Sequence, residues 1–251
     1  MGTVWAVVVV TAVNLSAALA ALVVLPVGVV AAASVFKSVT GQPVDPRAAK
    51  PSGKDQAIAA LQRVPASGVA IAAPVLMTLA ALGGPIAAGL ATLVVAVVLG
   101  GVIYLTLGKP AEAVTATLAT LVPAVSCMSL ILARGQGSNQ ADALIAAIFA
   151  YDVACFIMGN SRTALGGPFG ILFGWISVGV VSLFVAAIMN PPFSGNRPWI
   201  MMGVLAFLAP AGVAVADRLV SGHRLPALRR LDSLLLAGPV WVVAVAVVLH
   251  R

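Results

Sequence analysis

The chain has 251 residues, of which 61% are hydrophobic and only 8% charged, and its mean hydropathy is +1.12. So little polar surface excludes the ordinary water-soluble globular classes. The net charge of +7 comes from Lys and Arg gathered in alternate loops, so it reads as a membrane topology signal and not as a nucleic-acid footprint.

A hydrocarbon core of about 30 Å needs about 20 mostly apolar residues per helical span. Taken along the chain, such spans are expected at 4–35 (overlong, with a bend at Pro26), 66–82, 85–107, 111–133, 140–158, 168–189, 199–216 and 232–249. Alternating barrel strands are absent, and a lipid-exposed backbone must satisfy its own hydrogen bonds, so the expected fold is all-α: a polytopic membrane helix bundle of about eight transmembrane helices. Met1 to Trp5 carries no basic n-region, so the first segment is expected to stay as a helix. Gly83-Gly84-Pro85 separates the second and third spans, and 190–198 the sixth and seventh.

Basic residues alternate between loops. One set holds Lys37, Arg47, Lys50, Lys54 and Arg63, then Lys109, Arg162, and Arg218, Arg224, Arg229 and Arg230; the other holds Arg134, Arg197 and Arg251. Basic residues near helix ends are retained in the cytoplasm, which puts both termini outside. Four regions follow: a first transmembrane segment at 1–36, a cytoplasmic basic loop at 37–65 with a helical turn or two at 56–63, transmembrane helices 2–4 at 66–135, and a C-terminal transmembrane region at 136–251. Cys127 and Cys155 lie in apolar stretches without C-x-x-C spacing, so packing roles are expected. His223 is a loop histidine near the C-terminal arginines, and His250 has no partner in sequence.

An acid inside a membrane helix is costly and is often retained for function. Asp45 and Asp55 fall in the polar loop, Glu112 in a first helical turn and Asp142 near the outer start of the fifth span, where each has an ordinary explanation. Asp152, Asp217 and Asp232 instead fall toward the cytoplasmic ends of spans five, seven and eight. Near Arg218, Arg224, Arg229 and Arg230, they are the groups that metal-assisted phosphate chemistry requires: oxygen ligands for magnesium and guanidinium groups for phosphate.

The C-terminal hundred residues resemble the phosphatidate cytidylyltransferases, or CDP-diacylglycerol synthases. Asp152-Val153-Ala154-Cys155-Phe156-Ile157-Met158-Gly159 resembles the family's Asp-x-x-Ala-Tyr-x-x-Gly, and Gly166-Gly167 to Gly174 is similar to its Gly-rich stretch. Ala216-Asp217-Arg218-Leu219-Val220-Ser221 resembles its Gly-Asp-Leu-x-Glu-Ser. Leu228-Arg229-Arg230-Leu231-Asp232-Ser233 resembles its Leu-Asp-Arg-x-Asp-Ser. The family's Ser-Pro-Lys-Lys-Thr-x-Glu-Gly motif is missing, the loop between Asp217 and Asp232 is about half the family's length, and Arg229 replaces the first Asp of the hallmark.

The resemblance implies a divergent member whose 136–251 region is cytidylyltransferase-like. It would join CTP to phosphatidate, giving CDP-diacylglycerol and pyrophosphate in phospholipid biosynthesis. The resemblance assigns catalytic roles to Asp152, Asp217 and Asp232, with magnesium on Asp217 and Asp232. Substrate phosphate would meet Arg218, Ser221, Arg229, Arg230 and Ser233. The expected partners are a membrane lipid and a nucleotide, with a homodimer left open, in the cell inner membrane. A non-catalytic relative that binds lipid or regulates a partner is the second reading. A transporter is the third, disfavoured by acids at the cytoplasmic rim and by halves that do not match.

Overall fold

The computed structural model describes residues 2–40, 53–159, 167–190, 192–219 and 231–248. These form nine helices with no strand among the described residues: α1 (Gly2–Leu15), α2 (Ala17–Thr40), α3 (Gly53–Leu82), α4 (Pro85–Leu107), α5 (Pro110–Gln136), α6 (Ser138–Met158), α7 (Gly167–Ile188), α8 (Arg197–Leu219) and α9 (Leu234–Val248). Six are long and apolar enough to cross a membrane: α2, α4, α5, α6, α7 and α8. Gly68–Leu82 within α3 and α9 are shorter apolar helices.

Local chemistry sets several of these boundaries. Pro85 and Pro110 open α4 and α5, where the missing N–H costs nothing because no intrahelical acceptor precedes it. Gly108 ends α4 in the left-handed region at φ 70°, donating its N–H to the Tyr104 carbonyl. The first apolar run is interrupted at Ser16, between α1 and α2, and Pro26, where a bend is expected, lies inside α2. The reason is capping: Ser16 Oγ accepts the Leu19 N–H at 3.1 Å, serving the first turn of α2. Where the sequence suggests a turn or two at 56–63, α3 is helical from Gly53 onward. The Ala-rich stretch at 57–61 favours helix, so the helix runs past the apolar span it belongs to.

Close contacts fix the directions of the helices. Gly28 of α2 packs on Pro74 of α3 and Cys127 of α5, and a Cβ there would come within 2.7 Å of the Cys127 sulfur. Val35, Ala119, Val122 and Ala216 form a small core at one end of the bundle, so α2 runs antiparallel to α5. The helix ends carrying Lys37, Lys54, Lys109 and Arg218 all fall at that end, here called the basic end, while Arg134 and Arg197 fall at the other. The sequence alternation of Lys and Arg thus maps onto the two ends of the helices.

The central post is α5. Of its apolar window 78% is buried, against 22% for α4 and α7. Its polar side chains match this position. The hydroxyls of Thr117, Thr120 and Ser129 each donate to the carbonyl four residues back, so they occupy the interior without unsatisfied donors. The exposed Phe156, Phe169, Leu172, Phe184 and Ile188 of α6 and α7 present an apolar outer face suited to lipid.

Candidate functional site

Two of the three acids singled out by sequence meet. Asp152 lies on α6 and Asp232 just before α9, and both are bonded to Ser233. The Ser233 hydroxyl donates to Asp152 Oδ2 at 3.1 Å, and the Ser233 backbone N–H donates to Asp232 Oδ1 at 2.8 Å. Ser233 is fully buried and Asp232 is only 7% exposed. The turn that carries them is fixed from two further sides. Ser126 of α5 donates to the Leu231 carbonyl at 2.8 Å, and α8 approaches so closely at Gly212 that a Cβ there would stand 2.6 Å from the Asp232 carbonyl oxygen. The Leu235 N–H donates to that same carbonyl and closes the turn into the helix.

The wall beside Asp152 is built from α6 and α7. The buried Tyr151 ring lies against Gly174, whose missing side chain makes the room: a Cβ would fall 2.5 Å from the ring. Cys155, one turn after Asp152, donates its thiol to the Gly170 carbonyl at 3.2 Å. Asp152 stands six residues before the end of α6, or about 9 Å along the helix axis. The acids expected at the rim of the bundle therefore include one recessed within it.

Of the other expected site residues, two are described. Asp217 and Arg218 are exposed at the end of α8, because Ala216 takes the core-facing position there. Ser221, Arg229 and Arg230 lie outside the described residues, as does His223. Magnesium favours about six oxygen ligands, yet among the described residues no three His, Cys, Asp or Glu side chains come together in a group fit for a metal ion. Asp232 spends one oxygen on the Ser233 N–H, while Asp217 faces outward. Of the two acids expected to hold magnesium, Asp232 stands in this cluster and Asp217 does not.

A second polar cluster at the opposite end was not expected. Asn14 donates to Asp142 Oδ2 at 2.8 Å, and Arg134 donates through Nε to the carbonyl of Val13. Gln136 donates to the Val242 carbonyl at 2.8 Å, and the buried Trp241 indole donates to the Gln140 carbonyl at 3.0 Å. Asp142 Oδ1 is buried with no hydrogen-bond partner. The signal was present in the sequence: Asn14 and Asp142 are polar residues inside apolar runs, where partners are needed.

No family model matches the chain, and no curated protein matches it significantly. The resemblance to the phosphatidate cytidylyltransferases thus rests on the quoted residues alone.

Proposed function

We propose that this chain is a divergent relative of the phosphatidate cytidylyltransferases, an eight-span protein of the cell inner membrane with both termini outside. In this reading it transfers a cytidylyl group from CTP to phosphatidate. A phosphate oxygen of the lipid attacks the α-phosphorus of CTP, the bond from that phosphorus to the bridging oxygen of the β-phosphate breaks, and pyrophosphate leaves. The lipid enters laterally between helices and meets the nucleotide at the basic end beside Arg218, and the resemblance adds Arg229 and Arg230 to offset the phosphate charge.

The observation that supports the reading is the Ser233–Asp152 hydrogen bond. It joins two segments, 81 residues apart in the chain, that the resemblance had singled out independently as parts of one site. A second reading, a lipid-binding relative without catalysis, is favoured by the outward position of Asp217 and by the absence of a three-acid group among the described residues.

Purified protein in detergent, given labelled CTP, phosphatidate and magnesium as the counter-ion of the nucleotide, separates the two. Label is expected in lipid from the wild type and not from Asp217→Asn or Asp232→Asn. Folded wild-type protein that labels no lipid with any nucleotide, but still binds phosphatidate vesicles, leaves the non-catalytic reading standing.

A further inference from the structure

We infer that the bundle is built as two wings on one post, and that the wings part at the basic end about a joint at the opposite end. The first wing is α2, α3 and α4, the second is α6, α7, α8 and α9, and both pack on α5. Among the described residues, no helix of one wing packs extensively on a helix of the other. What joins the wings besides α5 differs between the two ends.

Away from the basic end the wings share one core. Ala20 and Val24 of α2, Ala81 of α3 and Ala88 of α4 belong to the same buried cluster as Leu144 of α6 and Met201 of α8. Polar bonds reinforce this joint. The helix α1, joined to α2 through the backbone bonds at Ser16, is tied to α6 by the Asn14–Asp142 bond and to α5 by Arg134 on the Val13 carbonyl. The shared core reaches Ala31 of α2. Beyond it the first wing closes on α5 by itself, with Phe36, Ala70, Leu99 and Ile103 set against Ala113 and Ala116. Among the described residues, the core common to both wings at that end is the small group of Val35, Ala119, Val122 and Ala216, edged by Leu219 and Leu235.

Parting the two ends has different consequences in a bilayer. Apolar side chains moved from a helix contact to lipid tails lose packing contacts alone, since lipid tails are as apolar as the side chains, and those contacts are few where two of four residues are alanines. Breaking the bonds of Asn14 and Arg134 instead strands polar groups. The seam between α2 and α8 is therefore the side that opens, and α1 is the strap that keeps the other end shut. Leu235 edges this seam and donates its N–H to the Asp232 carbonyl, so parting bares the flank of the turn that carries Asp232.

Nitroxide pairs on the outermost helix of each wing read the two ends separately. Leu105 of α4 and Phe169 of α7 are exposed near the basic end, and Ile86 and Ile188 of the same helices are exposed near the other. The labels are placed on cysteines in a Cys155→Ala background, where the remaining Cys127 is buried. Distances are measured by double electron–electron resonance on the full chain in lipid nanodiscs, without nucleotide, so the result is independent of the transfer assay. The 105–169 pair is expected to show a second, longer population and the 86–188 pair a single narrow one. Ala216→Leu, which wedges the seam, should enlarge the longer population of the first pair and leave the second pair unchanged. Single distributions of equal width at both ends overturn the inference, as does a wedge that moves both pairs alike or a spread confined to the 86–188 pair.

Discussion

The two polar clusters solve the same problem in opposite ways. Toward the basic end, two carboxylates are drawn to a single serine; at the other end, one carboxylate faces an asparagine, and an arginine stands nearby to serve an interrupted helix. Like charges brought together repel. The gathering of Asp152 and Asp232 around Ser233 is the feature on which the proposed function is built, and not Asp142.

Substitutions at the two ends break or sharpen this contrast. The largest effect is expected from Gly212→Val, which drives a branched side chain into the Asp232 carbonyl. Overpacking of this kind costs about 1–3 kcal/mol, and the apparent melting temperature of the detergent-solubilised protein should fall by about 3–10 °C. A variant that melts with the wild type would mean that α8 does not clamp the turn.

At the opposite end, Asn14→Leu removes the donor to Asp142 and should cost about 1–2 kcal/mol. The double change Asn14→Leu with Asp142→Leu should recover part of that loss, because no carboxylate is then stranded. A thermodynamic cycle of the four proteins reads the coupling, and strict additivity would show that the pair does not interact. Arg134→Leu leaves the Val13 carbonyl unpaired and is expected to cost about 1 kcal/mol, visible as faster hydrogen exchange in α1 than in α4. The smallest effect belongs to Phe156→Ala. Although it sits one residue after Cys155, its side chain is 82% exposed on the outer face, and the melting temperature should move by less than about 1 °C; a larger fall would place it in a packed interface.

Hydropathy and the punctuation of Pro and Gly made the apolar helices legible, since Pro85, Gly108 and Pro110 act through backbone geometry that needs no tertiary partner. The interruption at Ser16 was not legible. Pro26 is the stronger local breaker, but the chain breaks where Ser16 and Arg134 can satisfy the freed groups, and Arg134 is more than a hundred residues away. The extension of α3 to Gly53 escaped for another reason, because a hydropathy window detects the membrane-buried part of a helix and not its polar continuation. Within the site, the order of motifs pointed to Asp152, Asp232 and Ser233 together. It could not foresee that Asp217 faces outward, because that depends on how α8 is rotated. Burial of Ala216 in the core turns the next residue, about 100° further around the helix, toward the outside.

The recessed start of α9 also bears on how the protein is made. Alone, α9 would leave the Leu231 carbonyl and the Ser233 hydroxyl of the turn before it without the partners they have on α5 and α6. Here those groups find Ser126, Asp152 and the close face of Gly212, which belong to α5, α6 and α8. All three are synthesised earlier. The last helix therefore packs against a wall already standing, and a lesion in α5 or α6 should surface first as failed packing of α9.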